Sequence, residues 1–153
     1  MIPLSSTIFS LEYELSAMIK KTINDKMIKD FLIINFTGKN NSIGLRLNNN
    51  FFNKKFQTNI KNNELLVNNI FNFVKEKNGN IDKNFSIIVN TGPGSFSGIR
   101  ISLAIAKGIK ISKGAKIYGY RDSQLGKFNL KNIELLINKN LLQNKLIKPV
   151  YLR

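Results

Sequence analysis

Asn90-Thr91-Gly92-Pro93-Gly94-Ser95-Phe96-Ser97-Gly98-Ile99-Arg100 separates a strand-like apolar run, Phe85 to Val89, from a long apolar helix-like run that ends at Lys113. Three glycines and a proline within seven residues describe a strand that stops, a backbone that turns tightly and a helix that starts. A phosphate-binding loop has this layout, and so does a close-packed contact surface. Backbone N–H groups at a helix start, with a serine at the N-cap, do bind anions. However, no Lys follows the last loop glycine, and Gly92, Gly94 and Gly98 are spaced G-x-G-x-x-x-G rather than G-x-G-x-x-G.

Outward from this loop the pattern is orderly. Phe31 to Phe36 is a nearly unbroken apolar run, suited to a strand buried on both faces. Turn residues follow at Gly38 to Asn41. Ser42 to Leu47 alternates, with Ile43, Leu45 and Leu47 on one face. Asn48 to Asn50 is a second turn, and Phe51 to Thr58 reads as a third strand, with Phe52 and Phe56 sharing a face. Glu64 to Lys77 is a helix with Leu65, Leu66, Ile70, Phe73 and Val74 on one side, capped by Asn62 or Asn63 and ended by Gly79. Phe85 to Val89 is the fourth strand, Ile99 to Lys113 the second helix, stopped by Gly114, and Lys116 to Tyr120 the fifth strand. A three-strand meander followed by two helical crossovers predicts an α/β, ribonuclease-H-like domain with a mixed five-stranded sheet and order β-β-β-α-β-α-β. The actin, hexokinase and Hsp70 superfamily of ATP-using proteins duplicates this unit, but a fold alone assigns no activity.

The second helix is apolar on too many sides. Arg100, Lys107, Lys110 and Lys113 form a polar stripe, and nearly every other position is apolar or small. A helix covering one face of a sheet needs an apolar stripe over only part of its circumference. Its outer side therefore expects a second cover, either the tail of the chain or a partner helix. Ala104 and Gly108, one turn apart, would let another backbone approach closely.

Composition narrows the chemistry. With 153 residues, the chain reads as one domain with short extensions. It has no cysteine and no histidine, which excludes thiol nucleophiles, histidine acid–base catalysis and the usual zinc sites. A formal charge of +15 invites a nucleic-acid reading. Yet 20 of the 24 cations are Lys, spread along the chain. Lys, Asn, Ile and Phe rise together as AT-rich codons would make them. Bidentate phosphate and base recognition leans instead on Arg. No run of about 18 apolar residues predicts a membrane helix, and the apolar start lacks the basic flank of a signal peptide, so a cytoplasmic location is expected. Residues 1–30 read as an N-terminal extension containing an amphipathic stretch, Leu11 to Ile28, with Met27 as an alternative start. Residues 31–123 form the domain, and residues 124–153 form one helix (Leu130, Ile133, Leu136, Ile137, Leu141) and a tail.

A metal-dependent site would need carboxylates at the strand ends. The first strand ends at Asn35, and Glu64, Glu76, Asp82 and Asp122 are scattered. A nuclease or an independent ATPase is disfavoured.

Gly92-Pro93-Gly94-Ser95-Phe96-Ser97-Gly98-Ile99-Arg100, running into Ala104-Ile105-Ala106-Lys107-Gly108, resembles the TsaB (YeaZ) family, which shows GPGSF[TS]G[LI]R and then A-x-[AG]-K-G at this place. Pro149-Val150-Tyr151-Leu152-Arg153 is similar to the family's C-terminal P-[VL]-Y-L-R, and Phe31 to Thr37 resembles its first strand, usually ending Asp-Thr-Ser. The resemblance implies a non-catalytic subunit of the complex that forms threonylcarbamoyladenosine next to the anticodon of tRNAs reading ANN codons. Its implied partners are a catalytic TsaD-type subunit and a TsaE-type ATPase, with tRNA met indirectly and a homodimer possible. It implies no cofactor bound by the chain alone, with ATP or ADP at the level of the complex, and no membrane. The implied interface comprises the loop residues Gly92, Gly94, Ser95, Phe96, Gly98 and Arg100, then Ile101, Ala104, Ile105 and Gly108, with Leu65, Asn69 and Phe73 on the preceding helix. Three departures stand out. The family's His-Ser-Glu is Asn62-Asn63-Glu64, its first-strand Asp is Asn35, and most of its second subdomain is missing. Two other classes compete: a free-standing basic RNA-binding domain, which predicts salt-dependent tRNA binding, and a sugar-kinase-like enzyme, which predicts ATP turnover.

Overall fold

A computed structural model describes residues 10–18, 28–56, 63–145 and 147–151. Its described elements run β1 (Phe31–Asn35), β2 (Ser42–Leu47), β3 (Asn50–Lys55), α1 (Asn63–Glu76), β4 (Ser86–Asn90), α2 (Phe96–Lys113), β5 (Lys116–Tyr120), a single 3-10 turn (Asp122–Gln124) and α3 (Leu130–Asn138). The strands form one mixed sheet in the order β3-β2-β1-β4-β5. β1 and β2 are antiparallel with Leu32 opposite Leu45 and Ile34 opposite Ile43. β1, β4 and β5 are parallel neighbours. This arrangement fits a ribonuclease-H-like fold.

β1 and β4 lie at the centre of the sheet, flanked on both sides, because their residues are apolar on both faces. Leu32, Ile34, Ile87 and Val89 pack under α1 and α2 with Leu66, Ile70, Phe73, Ile99, Leu103 and Ala106. Phe31, Ile33 and Ile88 face the other way, against Tyr120, Leu125 and the α3 residues Ile133 and Leu136. The chain after residue 123 therefore supplies the third layer. Its α3 covers the face of the sheet opposite α2, while Ile147 packs into the core on the α2 side.

Local chemistry sets the boundaries. Asn48 and Asn49 both take positive φ (48° and 67°) between the paired Leu47 and Asn50, the two-residue turn that matches strand twist. α2 begins at Phe96, three residues before the predicted Ile99, because Ser95 caps it and accepts from the Gly98 N–H at 3.4 Å. Gly114 ends it at φ 74°, donating to the Lys110 carbonyl at 2.9 Å. At the end of α1 the left-handed residue is Asn78 (φ 58°), not Gly79. Gly79 is needed for space, since a Cβ there would sit 2.8 Å from Leu47 and from Val74. β3 is assigned to Lys55, short of the predicted Thr58, which lies outside the described residues, as does Asn62. Leu141 falls beyond α3.

Candidate functional site

The loop between β4 and α2 lies where β1, β4 and β5 end, the position at which open α/β sheets receive ligands. Its glycines serve contacts within the chain. A Cβ on Gly94 would lie 2.7 Å from the Thr37 Cβ, and one on Gly98 would run into the Phe36 carbonyl. Gly92, at φ 99°, is overlain by the Val150 carbonyl. Several of the loop's N–H groups are also committed internally. Gly92 donates to the Asn90 side chain at 2.9 Å and Ser95 to the Thr37 carbonyl at 2.7 Å, while Gly98 donates to the Ser95 hydroxyl. A phosphate cradle needs such donors turned outward; here they fasten the loop to the end of β1.

The strand ends carry amides. Asn90, buried at the end of β4, donates to the Asn35 side chain at 2.7 Å and to Asp122 at 3.0 Å. Among the described residues no group of three or more His, Cys, Asp or Glu is placed to hold a metal ion. The buried Tyr120 hydroxyl makes no hydrogen bond with the described residues. Burial pushes its pKa well above the ordinary phenol value, the Asp122 charge adds to the rise, and the neighbouring Asn90 amide offsets part of it.

The two sequence motifs meet in space. The Val150 N–H donates to the Thr91 carbonyl at 2.7 Å, and Gln143 exchanges two backbone bonds with Gly119 at 2.7 and 2.8 Å. Tyr151 lies on Phe96 with ring centroids 4.6 Å apart, and the Arg100 guanidinium sits 5.0 Å from the Phe96 centroid. Phe96 and Tyr151 both remain exposed. The tail thus straps the loop and extends an aromatic and cationic cluster beside the start of α2.

Farther along α2, the buried residues are Ile99, Ser102, Leu103, Ile105, Ala106 and Ile109. The outward stripe is Ile101, Ala104 and Gly108, with the buried Ile105 at its floor. Together with Val67 and Phe71 of α1 it lines an open, largely apolar depression of about 360 Å³ that ends at Ser112. Ala104 and Gly108 are exposed, and a Cβ on Gly108 would meet nothing within 4 Å. Ile111, next to this face, is 86% exposed.

Of the residues singled out from sequence, Ile101, Ala104, Ile105 and Gly108 come together in this depression. Gly92 is buried under the tail, and Gly94, Ser95 and Gly98 are partly buried at the end of β1. Phe73 is 6% exposed and points into the core, Asn69 is half-buried, and the side chain of Leu65 lies outside the described residues. Sequence reasoning missed Val67, Phe71 and the stacking of Tyr151. Val67 and Phe71 are four residues apart, a second apolar stripe beside the stronger one through Leu66, Ile70, Phe73 and Val74.

No helix among the described residues is long and apolar enough to cross a membrane. No family model and no curated protein matches the sequence. Solved structures do share the fold. YeaZ from Pseudomonas aeruginosa matches 63% of this chain with a TM-score of 0.56 and 15% identity, over 46% of its own length. A protein described as uncharacterized, with similarity to peptidase YEAZ from Pseudomonas aeruginosa, matches with the same TM-score and identity over 45% of its length. The chain thus spans less than half the length of either structure.

Proposed function

We propose that this chain is a TsaB-type subunit, without catalytic residues of its own, in the assembly that forms threonylcarbamoyladenosine in tRNA. In this reading it acts in the cytoplasm and binds a TsaD-type catalytic subunit, with a TsaE-type ATPase and tRNA joining the same assembly. The observation that carries the reading is the open apolar face of α1 and α2, with Ala104 and Gly108 leaving room for another backbone beside Ile101, Val67 and Phe71. Monomeric soluble proteins rarely leave such a face uncovered, and a helix laid between two helices is a common cover. The face adjoins the loop whose sequence resembles the family motif, and the fold is that of YeaZ over 63% of the chain.

The strand ends support a supporting role over an enzymatic one. Asn35 and Asn90 hydrogen-bond to each other where a metal-dependent member of this fold class would present carboxylates. A peptidase activity, as one matched structure's description mentions for its relative, would have to proceed here without any histidine or cysteine. Any ATP or ADP is expected at the level of the complex. Depletion of the protein, followed by mass spectrometry of tRNA nucleosides, is the test: threonylcarbamoyladenosine should fall. Unchanged levels in depleted cells would remove the reading.

A further inference from the structure

α2 has a second exposed flank. Phe96, Arg100, Lys107 and Ile111 are exposed and spaced four, seven and four residues apart, which sets them along one side of the helix. Residues 147–151 lie beside that side. Tyr151 rests on Phe96, and Lys148 lines a depression of about 470 Å³ with Lys107, Lys110, Ile111 and the buried Ile117 and Ile147. This depression and the α1–α2 groove share no lining residue, so they are separate surfaces.

The flank carries the charge that a polyanion needs. Lysines that look scattered in the sequence are brought together here by the helix and the tail. No acidic residue lines the depression, and no Asp or Glu occurs in residues 83–121 or 135–153. Among the described residues, none of Lys107, Lys110 and Lys148 forms an ion pair. The aromatic end adds a second chemistry. Phe96 and Tyr151 are 56% and 39% exposed, and the Arg100 guanidinium lies 5.0 Å from the Phe96 centroid. Planar rings and a guanidinium in line with lysines offer stacking to a base and charge to the phosphates beside it. A duplex keeps its bases paired and stacked within, away from such rings. An acidic protein segment would satisfy the lysines and leave the rings unused. From Phe96 to Lys110 the flank is roughly 21 Å long at helical rise, the length of about six nucleotides at a stacked spacing of about 3.4 Å.

We propose that this flank of α2 binds single-stranded RNA, with a base laid on Phe96 and Tyr151 beside Arg100 and the phosphates following Lys107, Lys110 and Lys148. The flank reads bases and phosphates and nothing of the sugar, so naming RNA rather than DNA rests on the tRNA reading above. As a site for an unpaired polynucleotide it stands alone.

The test uses the isolated full-length chain and a fluorescein-labelled oligouridylate of about ten nucleotides, with binding read as anisotropy over a range of salt. The single strand should bind several-fold more tightly than an RNA duplex of equal length. Binding by charge alone would favour the duplex, whose charge density is higher, and that order would overturn the proposal. Phe96→Leu should weaken single-strand binding about fivefold without altering its salt dependence, and Phe96→Tyr should retain it. The triple variant Lys107→Gln, Lys110→Gln, Lys148→Gln should flatten the log–log salt slope by about 2, or about 0.7 for each phosphate contact. Lys127→Gln, Lys131→Gln, Lys139→Gln removes the same charge from the α3 side of the molecule. An equal loss in that control, or no effect of Phe96→Leu, would overturn the site. Displacement of the RNA by an oligoglutamate of equal charge at the same concentration would make an acidic protein segment the occupant instead. A DNA strand of matching sequence bound more tightly than the RNA would overturn the choice of RNA. No TsaD-type partner is present in these measurements, so their failure leaves the partner reading standing.

Discussion

α2 and α3 sit on opposite faces of one sheet and solve different problems. α3 has one strongly apolar side; Ile133 and Leu136 are buried, and the side chains between them are polar or partly exposed. α2 buries Ile99, Leu103, Ile105, Ala106 and Ile109 in the same manner, then presents a second stripe of Ile101, Ala104 and Gly108 outward. A helix whose only task is to cover a sheet needs one stripe. The second stripe includes Gly108, where an added Cβ would meet nothing within 4 Å, and it is the surface that the proposed partner would cover. Among the described residues the tail lies elsewhere: α3 occupies the far face, Tyr151 lies on Phe96 at the start of α2, and Asn144, Ile147 and Lys148 line a separate depression with Lys107, Lys110 and Ile111.

Substitutions on neighbouring residues separate the stripes. Leu103→Ala, on the buried stripe, is expected to lower the unfolding free energy by about 2–4 kcal/mol in urea titration, the usual cost of an internal cavity. A loss below about 1 kcal/mol would mean that this side is not the tightly packed one. Gly98→Ala should cost about 1–3 kcal/mol, because its methyl would meet the Phe36 carbonyl, whereas Gly108→Ala has open space and better helix propensity and should be neutral or slightly stabilising.

The boundary between what sequence revealed and what it hid follows the same division. The five strands and the cap at Gly114 were legible because period-two and period-3.6 patterns, turn residues and glycine signals all agreed. The early start of α2 was missed because Ser95 caps through a fold-dependent loop anchored on Thr37. The excess apolarity of α2 was visible in its sequence, but the direction of each residue was not. Phe73 is expected both on the apolar side of α1 with Leu66 and Ile70 and, through the family resemblance, at the interface; the structure gives it to the core, and Phe71 lines the groove instead. The stacking of Tyr151 on Phe96 joins residues 55 positions apart, a contact no local pattern encodes.

Smaller effects sharpen the picture at the sheet's end. Tyr120→Phe should stabilise by about 1 kcal/mol, since it removes a buried hydroxyl without a hydrogen-bond partner among the described residues. The native tyrosine also makes stability fall with rising pH. Its folded pKa is raised, so the stability it contributes is present below the unfolded phenol value of about 10 and declines as pH climbs above it. Urea titrations of Tyr120→Phe should show a shallower alkaline decline; an unchanged slope would assign that decline to other groups. Tyr151→Ala, at a contact exposed to water, should cost only about 0.5–1.5 kcal/mol and loosen the tail at Thr91, read as faster amide exchange at Val150.

Ala104→Glu is the most direct test, because it alters the outward stripe one residue from Leu103 and leaves the core intact. Its unfolding free energy should stay within about 0.5 kcal/mol of the parent. Its affinity for the TsaD-type protein of the same organism, measured by calorimetry, should fall by at least about tenfold, as expected when a buried charge enters the centre of an apolar contact. Equal affinity for parent and Ala104→Glu, or no binding by the parent, would contradict the assignment of this face as the partner site.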